Sequence, residues 1–174
     1  MFDDLSQVKR RYEELVYRMT TPEAMNDPAA YAAMMREYKE LTPLVEAYCS
    51  YTALQKEVGL PVKPDVPLMV MVTRLAGHKG LDLLCYIARR LIWEEDAQLL
   101  ILGTGEAQYE SFFRDLSNQF PDQVSAQITF NLGLAARIYA GGDVYLMPSK
   151  SEPCGLSQMN AMRYGTVPVV HATG

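Results

Sequence analysis

No stretch of this 174-residue chain approaches the roughly 18 consecutive apolar residues that a membrane-spanning helix needs. The acidic, polar start is no signal peptide either, so a cytoplasmic protein without a membrane partner is expected. Cysteine is scarce: Cys49, Cys85 and Cys154 are odd in number and widely scattered, which excludes a disulfide framework and a CxxC metal site. The two histidines, His78 and His171, stand far apart in sequence, and no metal is expected. Basic charge is also short, with 16 Lys and Arg against 21 Asp and Glu. The deficit holds on both sides of Ala53, six against nine before it and ten against twelve after it. Proteins that hold nucleic acid by neutralising its phosphates carry a basic excess somewhere. None is present here, nor is any internal repeat or low-complexity tract.

What remains is ordinary for a folded soluble domain, 49% apolar and 21% charged. Residues 1–52 read as helices. Leu5, Val8, Tyr12, Leu15 and Met19 recur at steps of three and four, an apolar stripe that Thr21-Pro22 ends. Asp27-Pro28 then resembles an N-cap followed by proline at the first helical position. Tyr31, Met34, Tyr38, Leu41, Val45 and Tyr48 repeat the spacing, and Pro43 is expected to kink this second helix or to restart it with Thr42 as a new cap. The two seams predict an α-helical hairpin.

From Leu68 onward the period changes. Leu68–Val72 is a short continuous apolar run, the mark of a strand covered on both faces. Similar runs follow at Gln98–Leu102, Val124–Phe130, Asp143–Met147 and Val167–Val170. Helical patterns fill the gaps at Gly80–Trp93, Ala107–Phe120, Leu134–Ala140 and Gly155–Tyr164. This alternation predicts an α/β fold, a Rossmann-like parallel sheet of about five strands with helices on both faces. Residues 53–67 form the lead-in, with three prolines between Pro61 and Pro67.

In such a sheet, ligands bind beyond the carboxyl ends of the strands. The loop after the first strand carries Arg74 and Lys79. Gly103-Thr104-Gly105 follows the second as a candidate substrate-binding turn. It matches only part of a dinucleotide fingerprint, with Gln108 where the third glycine belongs. Phe130 precedes the third loop, and Pro148–Gly155 leads into a helix whose free N–H groups make a phosphate site. Two cations and a helix N-terminus on one crevice imply a diphosphate ligand. Duller readings stand beside these. Arg74 and Lys79 could be solvated loop charges, Glu152 a helix cap, Cys154 a small buried packing residue, and Phe130 plain strand core.

Residues from about 53 to 174 resemble the C-terminal domain of bacterial glycogen (starch) synthases, two-domain glycosyltransferases of the GT-B architecture. The resemblance rests on Ala53–Pro61, Thr73-Arg74-Leu75, Lys79–Leu84, Arg137–Asp143 and above all Ser151–Pro168, which contains Glu152-Pro153-Cys154-Gly155-Leu156. It implies retaining transfer of glucose from ADP-glucose or UDP-glucose to an α-1,4-glucan, with no cofactor beyond that donor. By the same resemblance Arg74 and Lys79 bind the diphosphate and stabilise it as it leaves. Glu152 holds hydroxyls of the donor glucose, and Cys154, Gly155 and Leu156 line the sugar-phosphate pocket. Phe130 stands where a tyrosine usually stacks on the base. Departures from the family pattern are His78 for glutamine, Leu132-Gly133 for a polar pair and Ala136 for a histidine.

Residues 1–52 resemble instead the N-terminal helical domain of class I peptide chain release factors, through Arg11–Leu15, Pro22-Glu23, Asp27 with Tyr31, and Glu40–Tyr48. That resemblance implies the ribosome as a partner, although no Gly-Gly-Gln for peptide release occurs. The expectation is therefore a chimera joined near Tyr51–Ala53 and truncated at its C-terminus. It would bind the donor but lack the N-terminal wall of the catalytic cleft, so glucan would be reached only through a missing domain. An exposed sheet edge would favour self-association.

Overall fold

A computed structural model describes residues 2–63 and 65–173; Pro64, within the lead-in, lies outside it, as do Met1, Gly174 and the side chains of Phe2, Asp3 and Asp4. The chain divides into two compact units, Met1–Thr52 and Ala53–Gly174.

In the first unit, α1 (Phe2–Met19) and α3 (Pro28–Glu57) flank the four-residue α2 (Pro22–Met25). Proline at its first position starts α2, a turn that the sequence spacing had not predicted. Asp27 caps α3 as expected, its Oδ1 accepting from the Ala29 and Ala30 amides, both at 3.0 Å. The hairpin closes on Leu15, which is fully buried, and on the stacked rings of Tyr12 and Tyr38, 4.9 Å apart. Arg11 grips Glu37 with two guanidinium nitrogens at 2.7 and 3.0 Å. The expected restart at Pro43 does not occur. The helix runs through it, and the Thr42 hydroxyl donates to the Tyr38 carbonyl at 2.7 Å instead of capping a new helix. Pro43 removes one amide from the ladder, which a 30-residue helix held by its neighbours absorbs. The last turn of α3 is counted in the second unit.

The second unit alternates β1 (Leu68–Val72), α4 (Leu81–Glu94), β2 (Gln98–Leu102), α5 (Ala107–Gln119), β3 (Val124–Gln127), α6 (Leu132–Gly141), β4 (Val144–Met147), α7 (Leu156–Tyr164) and β5 (Val167–Val170). A 3₁₀ turn, Gly77–Lys79, precedes α4. Among the described residues the five strands form one parallel sheet in the order β3-β2-β1-β4-β5. Every residue of β2 is buried, as a strand covered on both faces must be. Leu81, Leu84, Ala88 and Ile92 recur on one side of α4 and pack, with Phe113 and Leu116 of α5, against Met71, Leu99 and Ile101. On the other face Gly142 lies so close to β1 that a Cβ there would meet Val70 Cγ2 at 2.6 Å. The lead-in is anchored by polar contacts: Gln55 Nε2 donates to Gln98 Oε1 at 2.8 Å, and Ser125 Oγ to the Val58 carbonyl at 2.7 Å.

Two expectations change. The third strand stops at Gln127 rather than Phe130, because the Thr129 amide turns back onto the Gln127 carbonyl at 2.9 Å. β5 is not covered on both faces; it is an edge strand with Val167, Val169 and Val170 exposed. The strand order also places the crevice. β2 lies on one side of β1 and β4 on the other, so the loops after β1 and β4 diverge at the reversal point, where such sheets bind ligands.

Candidate functional site

Close backbone approaches hold the loops of the crevice in register. Gly80 adopts a left-handed conformation (φ 70°), and a Cβ there would lie 1.8 Å from the Pro148 carbonyl oxygen. The Lys150 amide donates to the His78 carbonyl at 2.9 Å. The loop after β1 is thus clamped onto the loop after β4. On its other side a Cβ on Gly103 would sit 1.8 Å from Thr73 O, and one on Gly105 2.1 Å from Leu75 O. Glu106 completes the frame, accepting from the Gly77 amide at 2.9 Å; that bond, with Gln108 and the nearby His78 and Arg74 side chains, holds its carboxyl below the usual range.

This clamp brings Lys79 and Glu152 together. Lys79 Nζ donates to Glu152 Oε2 at 2.6 Å, with the two side chains only 21% and 17% exposed. The buried Ser149 hydroxyl donates to the same oxygen at 3.1 Å. Lys79 first, then Ser149 and the Gly155 amide, hold the Glu152 carboxyl below its ordinary value against the opposing effect of burial. The side-chain contacts from Lys79 and Ser149 both fall on Oε2. Partial burial makes this pair stronger than a surface ion pair, since less water screens it.

Arg74 is in a different state. It is exposed, carries no hydrogen bond or ion pair among the described residues, and lines a cavity of about 410 Å³. That cavity opens over the carboxyl ends of β1 and β2, with Gly103, Thr104, Phe130 and Asn131 also on its wall. Thr73 and Ser157 line both it and the small recess that holds Lys79, Ser149 and Glu152, so the two adjoin. Ser157 belongs to the first turn of α7, whose opening amides have no intrahelical partner. An anion in this crevice would meet one free guanidinium, one ammonium shared with a carboxylate, and a helix N-terminus.

The remaining sequence candidates divide. Phe130 is 81% exposed at the cavity mouth, so it is not strand core. Gly105 packs against Leu75 and does not line the cavity. Cys154 is exposed, which removes the reading as a buried packing residue, and neither it nor Leu156 reaches the cavity wall. Gly155 is buried and left-handed (φ 61°) at the start of α7. Sequence reasoning missed Ser149, although its position three residues before Glu152 in one loop was a signal. It also missed Asn131, which caps α6 by accepting from the Leu134 amide at 2.9 Å.

Residues 54–174 match the family of glycosyl transferases, group 1. The chain is 56% identical over 122 residues to glycogen synthase from Kosmotoga olearia, covering 70% of this chain and 25% of that protein. It is 43% identical over 175 residues to glycogen synthase from Bacillus licheniformis, covering 99% of this chain and 34% of that protein. The latter alignment therefore runs through the first unit as well. The chain spans about a third, or less, of the length of these relatives. Among solved structures it is similar to the catalytic domain of starch synthase IV from Arabidopsis thaliana bound to ADP and acarbose. That likeness has a TM-score of 0.67 and 33% identity, and covers 74% of this chain and 27% of that one.

Proposed function

Because this chain belongs to the group 1 glycosyl transferases, we propose that its second unit binds a nucleoside diphosphate glucose, ADP-glucose or UDP-glucose, as the donor-binding part of an α-glucan synthase. The observation that carries this reading is the Lys79–Glu152 ion pair beside the unpaired Arg74. The pair joins one group suited to phosphate and one suited to sugar hydroxyls, and the relatives named glycogen synthase support the choice of glucose.

On this proposal the diphosphate draws Lys79 away from Glu152 and takes Arg74 as its second cation. The carboxylate so released accepts hydrogen bonds from the donor glucose. Transfer breaks the bond between the anomeric carbon and the diphosphate oxygen and forms one to a glucan hydroxyl, whose proton passes to the departing diphosphate. Negative charge grows on the departing diphosphate, where Arg74, Lys79 and the α7 N-terminus stabilise it without a metal. Phe130 offers its exposed ring to the base, and Ser149 holds Glu152 in place. Calorimetry of the full chain with ADP and ADP-glucose tests the reading. Saturable binding that Arg74→Ala weakens about tenfold or more is expected; no heat with either ligand at millimolar concentration would overturn it.

Two finer readings concern partners. For residues 1–52 the release-factor resemblance proposes the ribosome, whereas the alignment across 99% of the chain favours a shared origin with glycogen synthase. Co-sedimentation with ribosomes that survives deletion of residues 1–52 would end the ribosome reading. The exposed β5 edge supports self-association, which sedimentation over a concentration range would report.

A further inference from the structure

α4 turns an unusual face to solvent. Tyr86 is 87% exposed and Trp93 81% exposed, although both rings would favour burial. They are seven residues apart, so they lie on the same side of the helix about 10 Å from one another, far enough to engage different rings of one oligosaccharide. Beside Trp93 lies a recess of about 350 Å³, lined also by Ile92, Phe120, Asp96 and Gln123. The left-handed turn at Asp96 (φ 40°) ends the helix next to it. Trp93 thus has an open aromatic face, with the Asp96 carboxylate and the Gln123 amide oxygen at hand to meet hydroxyl groups, while Gln123 Nε2 donates to the Ile92 carbonyl at 3.0 Å.

Both cations on this face are engaged from within. Arg89 Nη1 donates to Gln119 Oε1 at 2.6 Å, and Arg90 Nε to Glu94 Oε2 at 2.7 Å. With Glu95 and Asp96 nearby, the face has no surplus cation for a polyanion. What it complements is a neutral polyhydroxylated chain. The C–H faces of pyranose rings are attracted to the negative faces of aromatic rings, while their hydroxyls bond to the polar rim. Position adds to this. α4 ends where β2 begins, so Trp93 stands at the amino-terminal edge of the sheet and Arg74 at the carboxyl edge, about 16 Å of strand away. A ligand on Tyr86 and Trp93 therefore does not compete with the donor.

We infer that the outer face of α4 is a glucan-holding platform, on which Tyr86 and Trp93 stack against sugar rings of the polymer remote from the reacting end. The choice of an α-glucan rests on the proposed transferase reading; the aromatic face and its engaged cations do not. By tethering the polymer the platform raises the local concentration of chain ends without contacting the donor.

Trp93 is the single tryptophan of the chain, so selectively excited tryptophan fluorescence reports this face alone. Titrating the full chain with maltoheptaose is expected to change that fluorescence saturably, and Tyr86→Ala to weaken the binding about tenfold. In native gels containing glycogen, the chain and its Arg74→Ala variant should be retarded and Trp93→Ala should not. Absence of any fluorescence change together with absence of retardation overturns the inference, as does glucan binding that neither substitution weakens. A glucan-insensitive dimer that Trp93→Ala disperses would instead assign the face to contact between copies, and overturns it too. Calorimetry with ADP on the same preparation separates the two claims: nucleotide binding without glucan binding overturns the platform alone.

Discussion

Lys79 Nζ lies 2.6 Å from Glu152 Oε2, although 73 positions separate the two residues in the chain. The two groups proposed to hold phosphate and sugar thus neutralise each other in this structure. Glu152→Gln removes the partner that competes with phosphate for Lys79 and leaves the cation in place. It is expected to keep or tighten ADP binding while abolishing the preference for ADP-glucose over ADP. Competition calorimetry with the two ligands checks this.

Among the described residues Arg74 makes no hydrogen bond or ion pair, and its charge reaches Glu106 only at longer range. Arg74→Ala should leave the melting temperature within about 1 °C, since exposed groups without contacts contribute little to stability. Nucleotide affinity should fall about tenfold or more, the worth of a charge-assisted hydrogen bond. Thermal melts and calorimetry on one preparation separate the two effects.

Phe130 should discriminate between parts of the ligand. Its exposed ring can stack on a base but does not bear on the diphosphate. Phe130→Ala is expected to cost about 1–3 kcal/mol in ADP binding and nothing in pyrophosphate binding, measured by titrating each.

The ion pair also sets a pH dependence. The Glu152 carboxyl is held below its ordinary value of 4.5, chiefly by Lys79. A depressed carboxylate contributes stability that is fully present above the unfolded value and is lost as pH falls through the folded one. The stability difference between the wild-type chain and Glu152→Gln should therefore be constant above about pH 5.5 and shrink below 4.5. Urea melts at several pH values would show it; a difference that grew on acidification would refute the pairing.

Gly80→Ala tests the clamp. The added Cβ would strike the Pro148 carbonyl at 1.8 Å in a left-handed conformation. The loss of stability should exceed about 1 kcal/mol, with nucleotide binding weakened because Lys79 and Glu152 separate. Chemical denaturation and calorimetry measure the two consequences.

The sequence alone determined the parallel sheet, because continuous apolar runs such as Leu68–Val72 and Gln98–Leu102 can be satisfied only by a layer on each face. It determined the Asp27 cap for an equally local reason, a side chain bonding to amides two and three residues on. Loop position after each strand was legible too, and with it the candidacy of Arg74, Lys79 and Glu152. Tertiary structure decided what local pattern could not. The helix continues through Pro43, whose lost hydrogen bond sits within a much longer packed helix. Phe130 faces solvent, because a turn at Thr129 ended the strand first. Most of all, the fold decided that Lys79 is paired and Arg74 is not. Five positions apart in one loop, the two cations look alike in sequence, and only the approach of Gly80 to Pro148 brings a carboxylate to one of them.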